Sequence, residues 1–315
     1  MKNGPVTFSV VAPIYNEYDN LPVLYDRVRE VMGATGETWE LVLVDDGSTD
    51  ASTERIRSLA ENDKHVRPVI FARNFGHQIA VTAGLDYARG RAVIIIDADL
   101  QDPPEVIPDL VAKWHQGYEV VYAVRAEREG ETWFKRLTAD MFYRLIYRIT
   151  DVKIPLDVGD FRLLDRKVVD VIGRMRERHR FLRGMATWVG FRQTGVHYKR
   201  AARFSGETKY PFRKMLKLAL NAVTSFSYFP LQVATFFGFV SAGLAILAIP
   251  VVIYERLTGS QAFFGQATTL IAVLFLGGVQ LISLGVLGEY IGRIYDETKG
   301  RPLYVVREAP ENKER

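Results

Sequence analysis

The chain has 315 residues, 48% of them hydrophobic, a formal net charge of +4 and no cysteine. Its length suits one large α/β domain plus a further element, and the missing cysteines exclude disulfides and thiolate metal sites. The modest positive charge suits lipid headgroups or phosphates and, with no clustered basic patch, gives no argument for nucleic acid. Near the start one lysine precedes a short apolar run that soon meets Pro13, Asn16 and Glu17. A signal peptide is therefore not expected, and the N-terminal part should stay in the cytoplasm.

Residues 7–13 read as a first buried strand ending in the loop Ile14-Tyr15-Asn16-Glu17, and a helix is predicted over 21–32. Residues 39–44 form a second strand running into Asp45-Asp46-Gly47-Ser48-Thr49-Asp50, a cluster able to N-cap the helix that continues through Leu59. A third strand is predicted over 66–71, then Arg73-Asn74-Phe75-Gly76-His77 and a helix over 78–88. Strands alternating with helices in this rhythm argue for a mostly parallel, doubly wound sheet whose strand ends converge on one crevice.

The fourth strand, 93–96, runs into Asp97-Ala98-Asp99-Leu100-Gln101-Asp102-Pro103-Pro104. Asp97 and Asp99 lie two apart, so in extended chain both carboxylates emerge on one face. Two hard oxygen ligands side by side suit a divalent cation bridging a diphosphate; an acidic, solvated turn is the plainer reading.

A helix over 105–117 and a strand over 119–124 follow, and Arg125, Arg128, Lys135 and Arg136 then crowd a short segment. Over 133–149 apolar positions recur at helical spacing beside Arg136, Arg144 and Arg148, the pattern of a basic amphipathic helix on an anionic membrane surface or of an ordinary surface helix. A second such helix is predicted over 212–228. The apolar tracts 231–254 and 268–291 each reach the length that crosses a bilayer. Lys209, Arg213, Lys214 and Lys217 precede the first tract, Arg293, Lys299, Arg301 and Arg307 follow the second, and only Arg256 lies between. The positive-inside rule then puts both flanks in the cytoplasm. Gly277, Gly278, Gly285 and Gly288 would allow close helix approach, within one chain or in a homo-oligomer.

Pro13-x-Tyr15-Asn16-Glu17, Asp45-Asp46-Gly47-Ser48-x-Asp50, Asp97-Ala98-Asp99-Leu100-Gln101, Asp160-Phe161-Arg162-Leu163 and Arg203-Phe204-Ser205-Gly206-x-Thr208-Lys209-Tyr210 occur in this order. Together they resemble the inverting A-type glycosyltransferases of family 2, the dolichol-phosphate mannosyltransferase-like group; the two C-terminal tracts resemble its bacterial polyprenyl-phosphate glucosyltransferase (GtrB-like) branch. The resemblance implies a GT-A type doubly wound mixed sheet, a Rossmann-like nucleotide-sugar-binding domain over 1–210. It also implies interfacial helices at 133–149 and 211–229, a transmembrane helix pair over 230–292 and a cytoplasmic tail over 293–315.

By the same resemblance Pro13, Tyr15, Glu17, Asp46, Asp97 and Ala98 would bind the nucleotide, with Asp46 accepting a hydrogen bond from uracil or ribose, while Asp45, Ser48 and Asp50 shape the turn. Asp97, Asp99 and Gln101 would hold Mg²⁺ or Mn²⁺, a Lewis acid for the departing nucleoside diphosphate. Arg125, Arg128, Arg136, Arg203 and Lys209 would bind the acceptor phosphate, Arg203 and Lys209 also serving catalysis with Asp99. Asp157 or Asp160, with Asp157 favoured, would be the acceptor-side carboxylate, Asp160 otherwise pairing with Arg162 or a neighbour. His77 is expected near the nucleotide loop or simply packed, and Trp114, Trp133 and Trp188 as core or interface aromatics.

The implied activity is transfer of one sugar, glucose from UDP-glucose, onto undecaprenyl phosphate at the bacterial cytoplasmic membrane for cell-envelope glycan modification. GDP-mannose, UDP-N-acetylglucosamine and UDP-linked amino-arabinose stay open as donors. A processive polysaccharide synthase would carry a Gln-x-x-Arg-Trp motif and more spans; a non-catalytic nucleotide-sugar sensor would not need Asp97, Asp99, Gln101, Asp157 and Lys209 intact.

Overall fold

Short runs of β-branched residues form the middle of the sheet because both of their faces are covered, which favours near-continuous apolar strands in parallel pairing. The computed structural model of the chain describes residues 5–125, 158–199, 229–258 and 266–310. In it β1 (Phe8–Ile14), β2 (Trp39–Asp45), β3 (Val66–Phe71) and β4 (Ala92–Ile95) lie in the order β4-β1-β2-β3, all parallel. Every residue of β1 and β4 is buried. The helices between them are α1 (Asn20–Ala34), α2 (Ser52–Asn62) and α3 (His77–Tyr87). These elements match the predicted ones to within one or two residues, except that α2 runs three residues past the predicted end at Leu59.

A 3₁₀ turn, Pro104–Val106, leads into α4 (Ile107–His115), and β5 (Val120–Arg125) follows. Beyond that the structure adds elements that the hydrophobic pattern does not announce. β6 (Val158–Asp165) inserts antiparallel between β4 and β5, with Ile95 opposite Arg162 and Val121 opposite Leu163. Then come α5 (Arg166–Arg174), capped by Asp165 accepting from Lys167 N, and α6 (Leu182–Trp188). β7 (Gln193–Tyr198) runs parallel to β5 on one edge, and β8 (Val306–Glu308) runs antiparallel to β3 on the other. The sheet is thus mixed, eight-stranded and ordered β7-β5-β6-β4-β1-β2-β3-β8. Residues 306–308, predicted as tail, belong to it.

Trp114 is a core-edge aromatic as expected: its ring meets Phe8 edge-on at 5.5 Å and its indole N–H donates to Asp165. Trp188 is 61% exposed, so of the two places expected for it the core is excluded. The predicted cap of α2 also differs. Its N-cap position is Ala51, with no side-chain cap bond, and the Ser/Thr/Asp cluster cross-links the neighbouring loop.

The chain divides into two units, and the sheet belongs to the first, which includes 301–315. The second holds α7 (Phe229–Leu257) and α8 (Gln266–Thr298), which pack on each other. Within them Phe229–Tyr254 and Ile271–Thr298 are long and apolar enough to cross a membrane, with mean hydropathies of 2.5 and 2.2 over windows that hold no buried residue. A core helix of a water-soluble domain would be covered, and these two are not. The predicted interfacial helices at 133–149 and 212–228, and Trp133, Arg128, Arg136, Asp157, Arg203 and Lys209, lie outside the described residues.

Candidate active site

The parallel strands deliver three loops to the same sheet edge, and hydrogen bonds lock the loops together. Asn16 turns the chain with φ of 55°, a left-handed conformation that asparagine tolerates. Its side-chain oxygen accepts from Thr49 N (2.8 Å), while Ser48 Oγ accepts from Asn16 N (3.0 Å) and Ser52 Oγ from Glu17 N (3.1 Å). Asp45 accepts from Ser48 N and the Thr53 hydroxyl, and Asp50 from Ser52 N. Asp45, Ser48 and Asp50 shape the turn, as expected. Tyr15 is 40% exposed at the rim, Pro13 is buried in β1, and Glu17 accepts from Asn20 Nδ2 of α1 at 2.6 Å.

Asp46, expected at the base or ribose, is only 3% exposed. Its carboxylate accepts from Phe75 N (2.7 Å) and Gly76 N (3.0 and 3.2 Å), so it holds the β3–α3 loop in place. Burial pushes its carboxyl above the usual range, outweighing those two N–H groups.

The Asp-x-Asp segment keeps the predicted two-residue alternation. Asp97 and Asp99 are partly exposed, while Ala98 and Leu100 are buried between and beyond them. Leu100 has φ of 59°, and Gln101 N donates back to Asp99 Oδ1 at 3.1 Å, closing a tight turn. Asp97 Oδ1 is buried with no hydrogen-bond partner; among the described residues His77 Nε2 stands 3.6 Å from it. Burial pushes Asp97 up to about 6, with His77 opposing that rise.

His77, the first residue of α3, also stands 3.2 Å from Asp160 Oδ2. Burial drives the imidazole down, but the bond to Asp160 and the charge of Asp97 outweigh it and push His77 up to about 9. Asp160, on β6, takes a two-pronged contact from Arg183 of α6 (2.8 and 3.2 Å) and a bond from Gln78 Nε2. Burial opposes ionisation of Asp160, yet Arg183 and His77 hold it well below the usual carboxylate range. Arg162, the pairing partner considered from the sequence, donates instead to Gly159 O, and burial pushes it down to about 10. Arg183 was not singled out in the sequence; its position in Arg180-Phe181-Leu182-Arg183-Gly184 gives no sign that it crosses to β6.

Arg125 ends β5 beside Gly159, and its Nε is buried without a hydrogen-bond partner. Nearby, the fully buried Asp102 accepts from the Tyr198 hydroxyl at the end of β7. Burial first, then Asp102, raises the Tyr198 phenol. This joins the end of the Asp-x-Asp loop to the strand that leads into residues 200–210.

The donor set fits a hard divalent cation. Asp97 and Asp99 both offer carboxylate oxygen from partly exposed positions, and Asp97 Oδ1 has no hydrogen-bond partner. Among the described residues no group of three or more His, Cys, Asp or Glu could hold a metal by itself, so a diphosphate and water would have to complete the shell. That is the habit of Mg²⁺ and Mn²⁺, not of an all-protein zinc site.

Residues 9–173 match the family described as Glycosyl transferase family 2. The chain belongs to that family. Among its relatives, this family 2 glycosyltransferase is 50% identical over 304 residues to an uncharacterized glycosyltransferase of Bacillus subtilis, YkcC, covering 96% of this chain and 94% of YkcC. It is 46% identical over 301 residues to the bactoprenol glucosyl transferase of Shigella phage SfII, covering 96% and 97%. Among solved structures it is similar to glucosyl-3-phosphoglycerate synthase from Mycobacterium tuberculosis, with a TM-score of 0.46 at 19% identity, covering 71% and 79%. The glycosyltransferase has the GT-A-like mixed sheet that the motifs implied, and its two exposed apolar helices associate it with a membrane.

Proposed function

We propose that the chain transfers a single glucose from UDP-glucose to polyprenyl phosphate at the cytoplasmic membrane face, inverting the anomeric centre. The observation that carries this reading is the Asp97–Asp99 pair, with Asp97 Oδ1 lacking a hydrogen-bond partner, at the meeting of the strand-end loops. Full-length likeness to relatives named bactoprenol glucosyl transferase supports the sugar and the lipid. The apolar helices and the basic flanks support a multi-pass protein with its catalytic unit in the cytoplasm.

Asp97, Asp99 and Gln101 would hold Mg²⁺ or Mn²⁺, which when bound supplies Lewis acidity to the departing diphosphate. Tyr15 and Glu17 line the nucleotide side, and Asp46 acts through the loop it anchors. An acceptor phosphate with a second pKa near 6 is already largely an anion at pH 7, so its approach needs cations more than a strong base. Arg125, whose Nε has no partner, serves that need with Arg128, Arg136, Arg203 and Lys209. Asp160 is committed to Arg183 and His77, which leaves Asp157 to orient the acceptor phosphate or take its residual proton.

The test is purified full-length protein with radiolabelled UDP-glucose, undecaprenyl phosphate and Mg²⁺ or Mn²⁺, run against a panel of other nucleotide sugars. A labelled organic-soluble glycolipid is expected from UDP-glucose. Label in lipid from another donor alone reassigns the sugar; polymer, or binding without product, overturns single transfer. Asp157→Asn is expected to abolish transfer and leave donor binding intact; near-wild-type turnover would remove Asp157 from this role.

A further inference from the structure

Strand β8 lies far along the chain from the donor loops, yet it is built into them. It pairs with β3 through Ile70–Glu308 and Phe71–Val306, and Ala72 N donates to Val305 O at 2.9 Å. Just before it, the Tyr304 ring stacks on Phe71, the last residue of β3, at 5.2 Å and 14°. The Tyr304 hydroxyl donates to Asp86 of α3 (2.8 Å), which Arg176 fixes from the other side (2.9 and 3.0 Å).

From Phe71 the contacts run on into the candidate site. Phe71 meets Phe75 edge-on at 5.6 Å, and the Arg73 guanidinium covers Phe75 at 3.9 Å. Phe75 N and Gly76 N hold Asp46, and the next residue, His77, reaches toward Asp97. A strand that only shielded a sheet edge would need backbone pairing and surface charge, such as the Arg57–Glu308 fork. It would not need a stacked, hydrogen-bonded tyrosine at the root of this loop.

We infer that Tyr304, held against β3 by the backbone pairing of residues 305–306, positions the loop 72–76 on the donor side, so that nucleoside diphosphate affinity depends on this distant residue. The inference rests on the donor reading above. Its experiment uses the full chain, with UDP and Mg²⁺ in calorimetric titration and separate KM values for UDP-glucose and undecaprenyl phosphate. Wild-type binding of UDP reports on the donor reading; the ratio of variant to wild type reports on the inference. Tyr304→Ala is expected to weaken UDP binding and raise the donor KM about five- to tenfold, as loss of a stacked pair implies. kcat and the acceptor KM should stay within about twofold.

Tyr304→Phe, which keeps the ring, should restore donor affinity to within about twofold. Tyr304→Leu keeps apolar cover without stacking and decides the matter if the alanine variant does not fold; at least a threefold loss of UDP affinity is expected. Glu308→Gln, breaking only the exposed fork, should change neither KM. Donor affinity unchanged in both Tyr304→Ala and Tyr304→Leu, or donor and acceptor KM rising together, would overturn the inference. A wild type that binds no UDP would remove the donor reading and the inference with it.

Discussion

Gly47→Ala tests whether the strand-end loops act as one interlocked unit. Gly47 has φ of +67°, and a Cβ there would lie 2.4 Å from Arg73 C and 2.6 Å from Asn74 N, both backbone atoms. No rotamer change can relieve that contact. To reach the ordinary 3.4 Å the 73–74 backbone must retreat by 3.4 minus 2.4, or 1.0 Å, which draws Phe75 N and Gly76 N off Asp46. Gly36 is the matched control, with φ of +69° and nothing within 4 Å of its Cβ. Gly36→Ala should therefore cost only the left-handed backbone penalty, about 1 kcal/mol. Gly47→Ala adds a backbone displacement worth about 2 kcal/mol. At roughly 3 °C per kcal/mol for a unit of this size, Tm should fall by about 3 °C for Gly36→Ala and about 9 °C for Gly47→Ala. Thermal unfolding in detergent measures this, and donor KM should rise about tenfold only in Gly47→Ala. Equal Tm losses with equal donor KM in the two variants would refute the interlocking of these loops.

Two further perturbations probe other parts of the sheet. Glu40 on β2 accepts from Ser9 Oγ (2.6 Å), Arg89 N (2.7 Å) and the buried Arg67; burial alone would raise its carboxyl, but these partners hold it below the usual range. Glu40→Gln should cost about 3 kcal/mol by leaving Arg67 uncompensated. A depressed carboxyl gives stability that is complete above its unfolded pKa of about 4.3 and is lost as pH falls through the lower folded value. The Tm gap between variant and wild type should therefore shrink on acidification from pH 6 to below 4, and a constant gap would count against the ion pair. Arg183→Ala should lower kcat at least about tenfold by leaving Asp160 a buried charge without its main partner, and Arg183→Lys should recover only part of it, lacking the fork. Full turnover in Arg183→Ala would show that the Asp160–Arg183 pair is dispensable.

The first half of the sheet was legible because each of its strands is a run of apolar residues between turn signals, and burial on both faces produces that pattern. Asp97 and Asp99 were legible for a related reason: a two-residue period survives into the turn, so partly exposed carboxylates alternate with the buried Ala98 and Leu100. β6 broke the pattern, since Val158-Gly159-Asp160-Phe161-Arg162 carries two charged side chains that are buried only because His77, Arg183 and Gly159 O meet them. Those partners come from other elements, and no local signal announces them. Asp46 shows the same limit: its position at a strand end was readable, while its engagement with Phe75 and Gly76 depends on a loop some thirty residues away. β8 is three residues with two charges, which in sequence is indistinguishable from a solvated tail.

The placement of β8 bears on how the enzyme is made. A chain emerges from the ribosome N-terminus first, at roughly 5–20 residues per second. β1 to β7 can pair as they appear, but β3 keeps an open edge until α7 and α8 have been synthesised. During that interval of roughly ten to fifty seconds, Phe71 and the loop beyond it lack the Tyr304 cover. Completion of this sheet edge therefore follows synthesis of both apolar helices, so a chain interrupted within them carries an unfinished 72–76 loop.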